Sequence, residues 1–95
     1  MEAGAEAGEE DAAHHIVPVA ARAGAYARSV LARFGIEINS AENGIFLETS
    51  VHARIHTTAY FRAVDDLLAQ ARTKEEAIAV LDYIKSEISK GTFPQ

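Results

Sequence analysis

The chain has no cysteine in 95 residues, and that absence constrains its fold more than any other single feature. A domain of this size buries only about 60–65% of the surface its unfolded chain exposes, so its core is thin and no disulfide can reinforce it. Any metal site must be assembled from His, Asp, Glu or Asn. Hydrophobic residues make up 48% of the sequence and charged residues 24%, the balance of an ordinary globular domain rather than a disordered or membrane-embedded one. The apolar stretches are short and broken by charge, so none is expected to span a bilayer. Residues 1–13 lack the basic start and apolar run of a signal peptide.

The net charge of −5 argues at first against nucleic acid as a partner, because phosphate binding favours a basic surface. Its distribution changes that reading. Glu2, Glu6, Glu9, Glu10 and Asp11 stand among the first 13 residues with no Lys or Arg, which leaves nine acids against nine bases over residues 14–95. The body is neutral. Residues 1–12, built of Ala, Gly and acids, read as a flexible acidic leader or linker, and residues 13–95 as the single folded domain.

Order is expected to begin near Ala13, with a brief strand or extended segment over Ile16-Val17-Pro18-Val19 that Pro18 confines to an edge or an early end. From Val19 to Phe34, apolar residues at Ala20, Ala23, Ala27, Val30, Leu31 and Phe34 follow the helical period, with Gly35 as the stop. Gly24 lies inside this helix, and a close helix contact is one reason that would account for it. The alternation of Gly35-Ile36-Glu37-Ile38-Asn39 predicts a strand, Asn43-Gly44 a hairpin turn, and Ile45-Phe46-Leu47 the returning strand. A helix starting between Ser50 and Thr58 runs to about Ala71. The last helix opens on Thr73, whose spacing to Glu76 matches a capping box, and stops at Gly91. The predicted order is β-α-β-β-α-α, and residues 57–91 read as scaffold.

The four histidines fall into two groups, His14-His15 and His52-x-x-x-His56. Two histidines four apart share one face of a helix and can reach one cation, although such a pair on a surface helix is more often incidental. Neighbours in an extended segment point to opposite faces, so His14 and His15 do not easily ligate the same ion. Three imidazoles with an open fourth position make a catalytic metal site, and a fourth, unligated imidazole suits a general base. The alternative is a chance pair at the domain edge.

Ala13-His14-His15-Ile16-Val17-Pro18, then Gly35-Ile36-x-Ile38-Asn39, Asn43-Gly44-Ile45-Phe46-Leu47 and His52-x-x-x-His56-x-x-x-Tyr60 together resemble the AHH family of HNH nucleases, related to endonuclease VII and found as C-terminal toxin domains of bacterial polymorphic toxins. The resemblance covers roughly residues 13–91. It implies an α+β fold: a small ββα-metal (His-Me finger) core with an inserted helix and C-terminal helices, mostly helical. It implies further that His15 is the general base, that His14, His52 and His56 hold one divalent metal (Zn, Ni, Mg or Mn), and that Asn43 fixes the loop or backbone orienting the base. Asn39 competes for that last role, and with Arg54 it is a candidate for contacting substrate.

The implied activity is metal-dependent hydrolysis of phosphodiester bonds, with DNA preferred over RNA, by a monomeric toxin domain. Such a domain would be carried by a secreted or contact-delivered protein, act in the target-cell cytoplasm and require a cognate immunity protein. The competing reading is a non-catalytic metal-binding module, such as an adaptor or immunity protein, in which Glu48 or Asp11 closes the coordination sphere. A zinc protease is excluded, because His52-Ala53-Arg54-Ile55-His56 lacks the glutamate that must follow the first histidine.

Overall fold

The structure is a computed structural model that describes residues 11–48 and 57–94. Among these residues two strands and three helices follow the order β-α-β-α-α: β1 (Asp11–His15), α1 (Ala25–Arg33), β2 (Gly44–Glu48), α2 (Thr58–Leu68) and α3 (Lys74–Lys90). Short 3-10 turns precede α1 at Arg22–Gly24 and β2 at Ala41–Asn43. The class is α+β and mostly helical, as expected.

β1 and β2 pair antiparallel, with His14 opposite Ile45 and His15 opposite Gly44. Directly opposed residues of such a pair share a face of the sheet. Ile45 is buried while Phe46 is 57% exposed, so the face carrying His14 and Ile45 turns to the core. The face carrying His15, Gly44 and Phe46 turns to solvent. The core beneath is filled by Ile16 and Val17 from the segment after β1, Val30 and Leu31 from α1, Tyr60, Val64 and Leu68 from α2, and Leu81, Ile84 and Ile88 from α3.

Four local expectations are corrected. The first strand ends at His15 instead of including Ile16–Val19, because Ile16 and Val17 leave the sheet to become fully buried and Pro18 has no N–H to pair. The first helix starts at Ala25, six residues after Val19. Arg28 Nη1 donates to the carbonyls of Pro18 and Ala21, which fastens the incoming chain in a non-helical path, and the Pro18 ring lies so close that a Cβ on Gly24 would stand 3.0 Å from it. The close approach at Gly24 is thus to the Pro18 ring, and the helix contact offered as its reason is replaced by one to the incoming chain. Residues 35–39 form no strand, since Ile36 and Ile38 reach the core from a turn. Finally, Asn43-Gly44 makes no local hairpin: β2 returns to β1 across the whole α1 excursion.

The helix ends follow their chemistry. Gly35 adopts φ 72° and Gly91 φ 76°, a left-handed conformation that glycine alone adopts at little cost. In both, the paired return bonds of a Schellman motif close the helix: Gly35 N–H to Ala32 O with Ile36 N–H to Leu31 O, and Gly91 N–H to Ile88 O with Thr92 N–H to Glu87 O. Thr73 Oγ1 accepts from Glu76 N–H, while the Glu76 carboxylate reaches back to Arg72 N–H, one residue earlier than the usual capping box.

Tyr60 links α2 to the segment after β1. Its ring is fully buried and its hydroxyl donates to Ile16 O at 2.7 Å. Burial pushes the phenol above its ordinary value of 10.0. Because the folded state holds this proton more tightly than the unfolded chain, the associated stability is intact below about pH 10 and lost as pH rises above it. Tyr60→Phe is expected to cost about 1–3 kcal/mol at neutral pH by leaving a buried carbonyl without this donor. It should also flatten the alkaline fall of the unfolding midpoint, and thermal melts of both proteins between pH 7 and pH 11 check both effects.

Candidate active site

β1 delivers His14 and His15 at its end, where the antiparallel ladder runs out. The 3-10 turn at Ala41–Asn43 cannot continue the strand, and the Asn43 side chain takes over the pairing. Its Oδ1 accepts from Val17 N–H at 2.9 Å, and its Nδ2 donates to Val17 O at 2.9 Å and to Ile38 O at 2.8 Å. The Asn43 backbone carbonyl accepts from Ile16 N–H at 2.8 Å. One fully buried amide thus satisfies both backbone groups of Val17 and ties the histidine strand to the loop after α1. Burying an amide without partners would be costly; here both of its N–H groups are used.

That loop carries the second candidate asparagine. The Schellman turn at Gly35 sends the chain back, Ser40 N–H and Oγ both donate to Glu37 O, and Asn39 is held beside His15. Asn39 Oδ1 accepts from His15 Nε2 at 2.7 Å. An amide oxygen accepts only, so in this contact Nε2 carries a proton. Lys85 on α3 braces the same loop from outside, donating to Ala41 O at 2.9 Å.

His14, His15, Asn39, Ser40 and Gly44 together line a pocket of about 240 Å³. His14 Nε2 is shielded from solvent, in keeping with its place on the inner face. No Lys or Arg lines the pocket among the described residues. A larger cleft of about 620 Å³ between α1 and residues 35–39 shares Asn39 with it and contains Arg28.

Of the residues singled out by sequence, the structure brings together His14, His15 and Asn39 in this pocket and places Asn43 directly behind it. His52, Arg54 and His56 lie outside the described residues. Among the described residues no three His, Asp or Glu side chains form a metal-binding group. Sequence reasoning placed none of Ser40, Gly44 or Tyr60 in the site, although Gly44 was read as part of a turn and Tyr60 stood in the motif that carries the family resemblance. A hydroxyl beside Asn39, a glycine opening a strand where a β-branched residue would be favoured, and a tyrosine four residues after His56 were the available signals.

The comparisons with known proteins are consistent with this geometry. A family model described as AHH, a nuclease family of the HNH/ENDO VII superfamily with conserved AHH, matches residues 2–88. The Ala-His-His of that description occurs once in the chain, at Ala13-His14-His15. No curated protein and no solved structure matches it.

Proposed function

The chain belongs to the AHH family of nucleases in the HNH/endonuclease VII superfamily, and from that premise we propose that it is a metal-dependent endonuclease hydrolysing DNA, with His15 as general base. The observation that carries this reading is the 2.7 Å bond from His15 Nε2 to Asn39 Oδ1. It sets the ring plane of one imidazole at the wall of a polar pocket. His15 would take a proton from the attacking water. Asn39 positions the ring, and Asn43 holds the backbone on which the histidine strand rests.

The donor chemistry suits a bound divalent ion. His14 presents a shielded imidazole at the pocket, and His14, His52 and His56 would hold the ion as three nitrogen ligands with a position left open, the pattern of catalytic rather than structural sites. When bound, the ion supplies a charge sink for the phosphoryl oxygens and the departing alkoxide. With no Lys or Arg lining the pocket among the described residues, that positive charge would otherwise be lacking. Zn²⁺ and Ni²⁺ match imidazole ligands, and Mg²⁺ and Mn²⁺ are harder alternatives.

In this reading the domain is the toxic part of a larger bacterial protein, secreted or delivered by contact, and acts in the target-cell cytoplasm. Residues 1–12 serve as an acidic linker to residues 13–95, and a cognate immunity protein protects the producing cell. The composition of the leader and the family's nuclease chemistry support the assignment.

Incubating the purified protein with supercoiled DNA in Mg²⁺, Mn²⁺, Zn²⁺ or Ni²⁺ tests it. Conversion to nicked and linear forms, abolished by EDTA and restored by added metal, is the expected result. Metal binding without cleavage of DNA or RNA under all four ions would overturn it in favour of a non-catalytic module.

A further inference from the structure

Phe46 is a large aromatic ring left 57% exposed, and the strand register places it on the same solvent-facing side of the sheet as His15, two positions along β2 from Gly44. Diagonal neighbours across an antiparallel pair remain within reach of aromatic side chains. Gly44 stands between them on this face. Its φ of −109° is extended backbone that any residue adopts. A Cβ built there would meet, among the described residues, nothing closer than Ala41 O at 3.6 Å and Ser40 O at 3.8 Å. Among the described residues neither conformation nor packing demands a glycine at this position. What its missing side chain provides is a clear floor between the His15 ring and the Phe46 ring.

We propose that this face is a nucleotide subsite, in which Phe46 stacks on an unpaired base of the substrate while the backbone beside that base crosses Gly44 towards His15. The inference rests on the nuclease reading and names the form of substrate it prefers. Bases of an intact duplex are already stacked on their neighbours and hide their faces, whereas a single strand or a locally opened duplex offers them. Stacking on an aromatic side chain is tolerant of sequence because every base has a π-face. A protein body whose acids and bases balance over residues 14–95 also gains proportionally more from stacking than one that holds the phosphates by a basic excess.

The test measures binding in the His15→Ala background, so that no cleavage interferes, using a single-stranded oligonucleotide that carries 2-aminopurine and its duplex. Stacking is expected to quench the 2-aminopurine fluorescence of the single strand. Adding Phe46→Ala should remove the quenching and weaken single-strand binding about tenfold, with little change for the duplex, and Phe46→Trp should restore both signals. Phe46 is exposed, so these changes leave the core intact, and matching melting curves check that they do. Undiminished quenching and affinity in Phe46→Ala, or an equal loss on single strand and duplex, would overturn the subsite. Cleavage assays of the protein with His15 intact report separately on the nuclease reading: an active enzyme with a Phe46-independent single-strand signal sinks only the subsite.

Discussion

Replacing His15 by alanine is expected to lower the rate of DNA cleavage by about 10²–10⁴-fold, the usual contribution of a positioned general base. The unfolding midpoint should stay close to that of the parent protein. The separation follows from the geometry. The His15 side chain lies on the solvent-facing side of β1, bonds to the exposed Asn39 and is not part of the buried apolar cluster, so that cluster stays in place when the ring is removed. Asn39→Ala should give a smaller loss carried by kcat, with KM little changed, because the asparagine acts on substrate only through the histidine. Metal affinity should survive both changes, measured by titration calorimetry, whereas His56→Ala should remove metal binding and cleavage together. Equal loss of metal in the His15 and His56 variants would refute this division of labour.

Asn43→Ala is expected to have the largest effect on stability. The substitution strips the hydrogen bonds that the side chain makes to Val17 N–H, Val17 O and Ile38 O in a fully buried position. Each backbone group left without a partner costs about 1–3 kcal/mol. A domain of this size holds only about 5–15 kcal/mol in all, so the variant should be largely unfolded or melt far below the parent. Asn43→Asp has nearly the same volume and separates packing from hydrogen bonding. Its carboxylate can still accept from Val17 N–H but would face the two carbonyls without a proton to donate, and it should be destabilised almost as severely near neutral pH. Denaturant titration followed by circular dichroism reads both. A stable Asn43→Asp protein would mean that the donated bonds matter little.

The parts of this fold that were legible in the sequence are those decided locally. Gly35 and Gly91 end helices because each must adopt a positive φ, and Thr73 with Glu76 opens α3 because both side chains answer nearby N–H groups. The failures arose where a local pattern served a distant partner. Ile36 and Ile38 alternate like a strand, but their apolar side chains reach the core from a turn. Asn43-Gly44 has the composition of a tight turn, yet the asparagine amide is committed to Val17, 26 residues away. Of the site, the two histidine neighbours on opposite faces of a strand followed from the period of extended chain. The contact of His15 with Asn39 did not, because it joins residues 24 apart across a helix whose exit direction no local rule specifies. The two candidate asparagines turn out to do different work: one touches the imidazole and the other holds the backbone.

The Tyr60 ring also meets Phe93 edge to face, with centroids 5.4 Å apart, and Phe93 is itself buried. Its hydroxyl meanwhile holds the carbonyl of Ile16, next in sequence to His15. The tail beyond α3 and the histidine pair are therefore joined by one rigid lever, an aromatic ring gripped at both ends. Carboxypeptidase trimming past Phe93, or a bulky fusion that pulls this segment away, would slacken the lever and reach the histidine strand from the far side of α3.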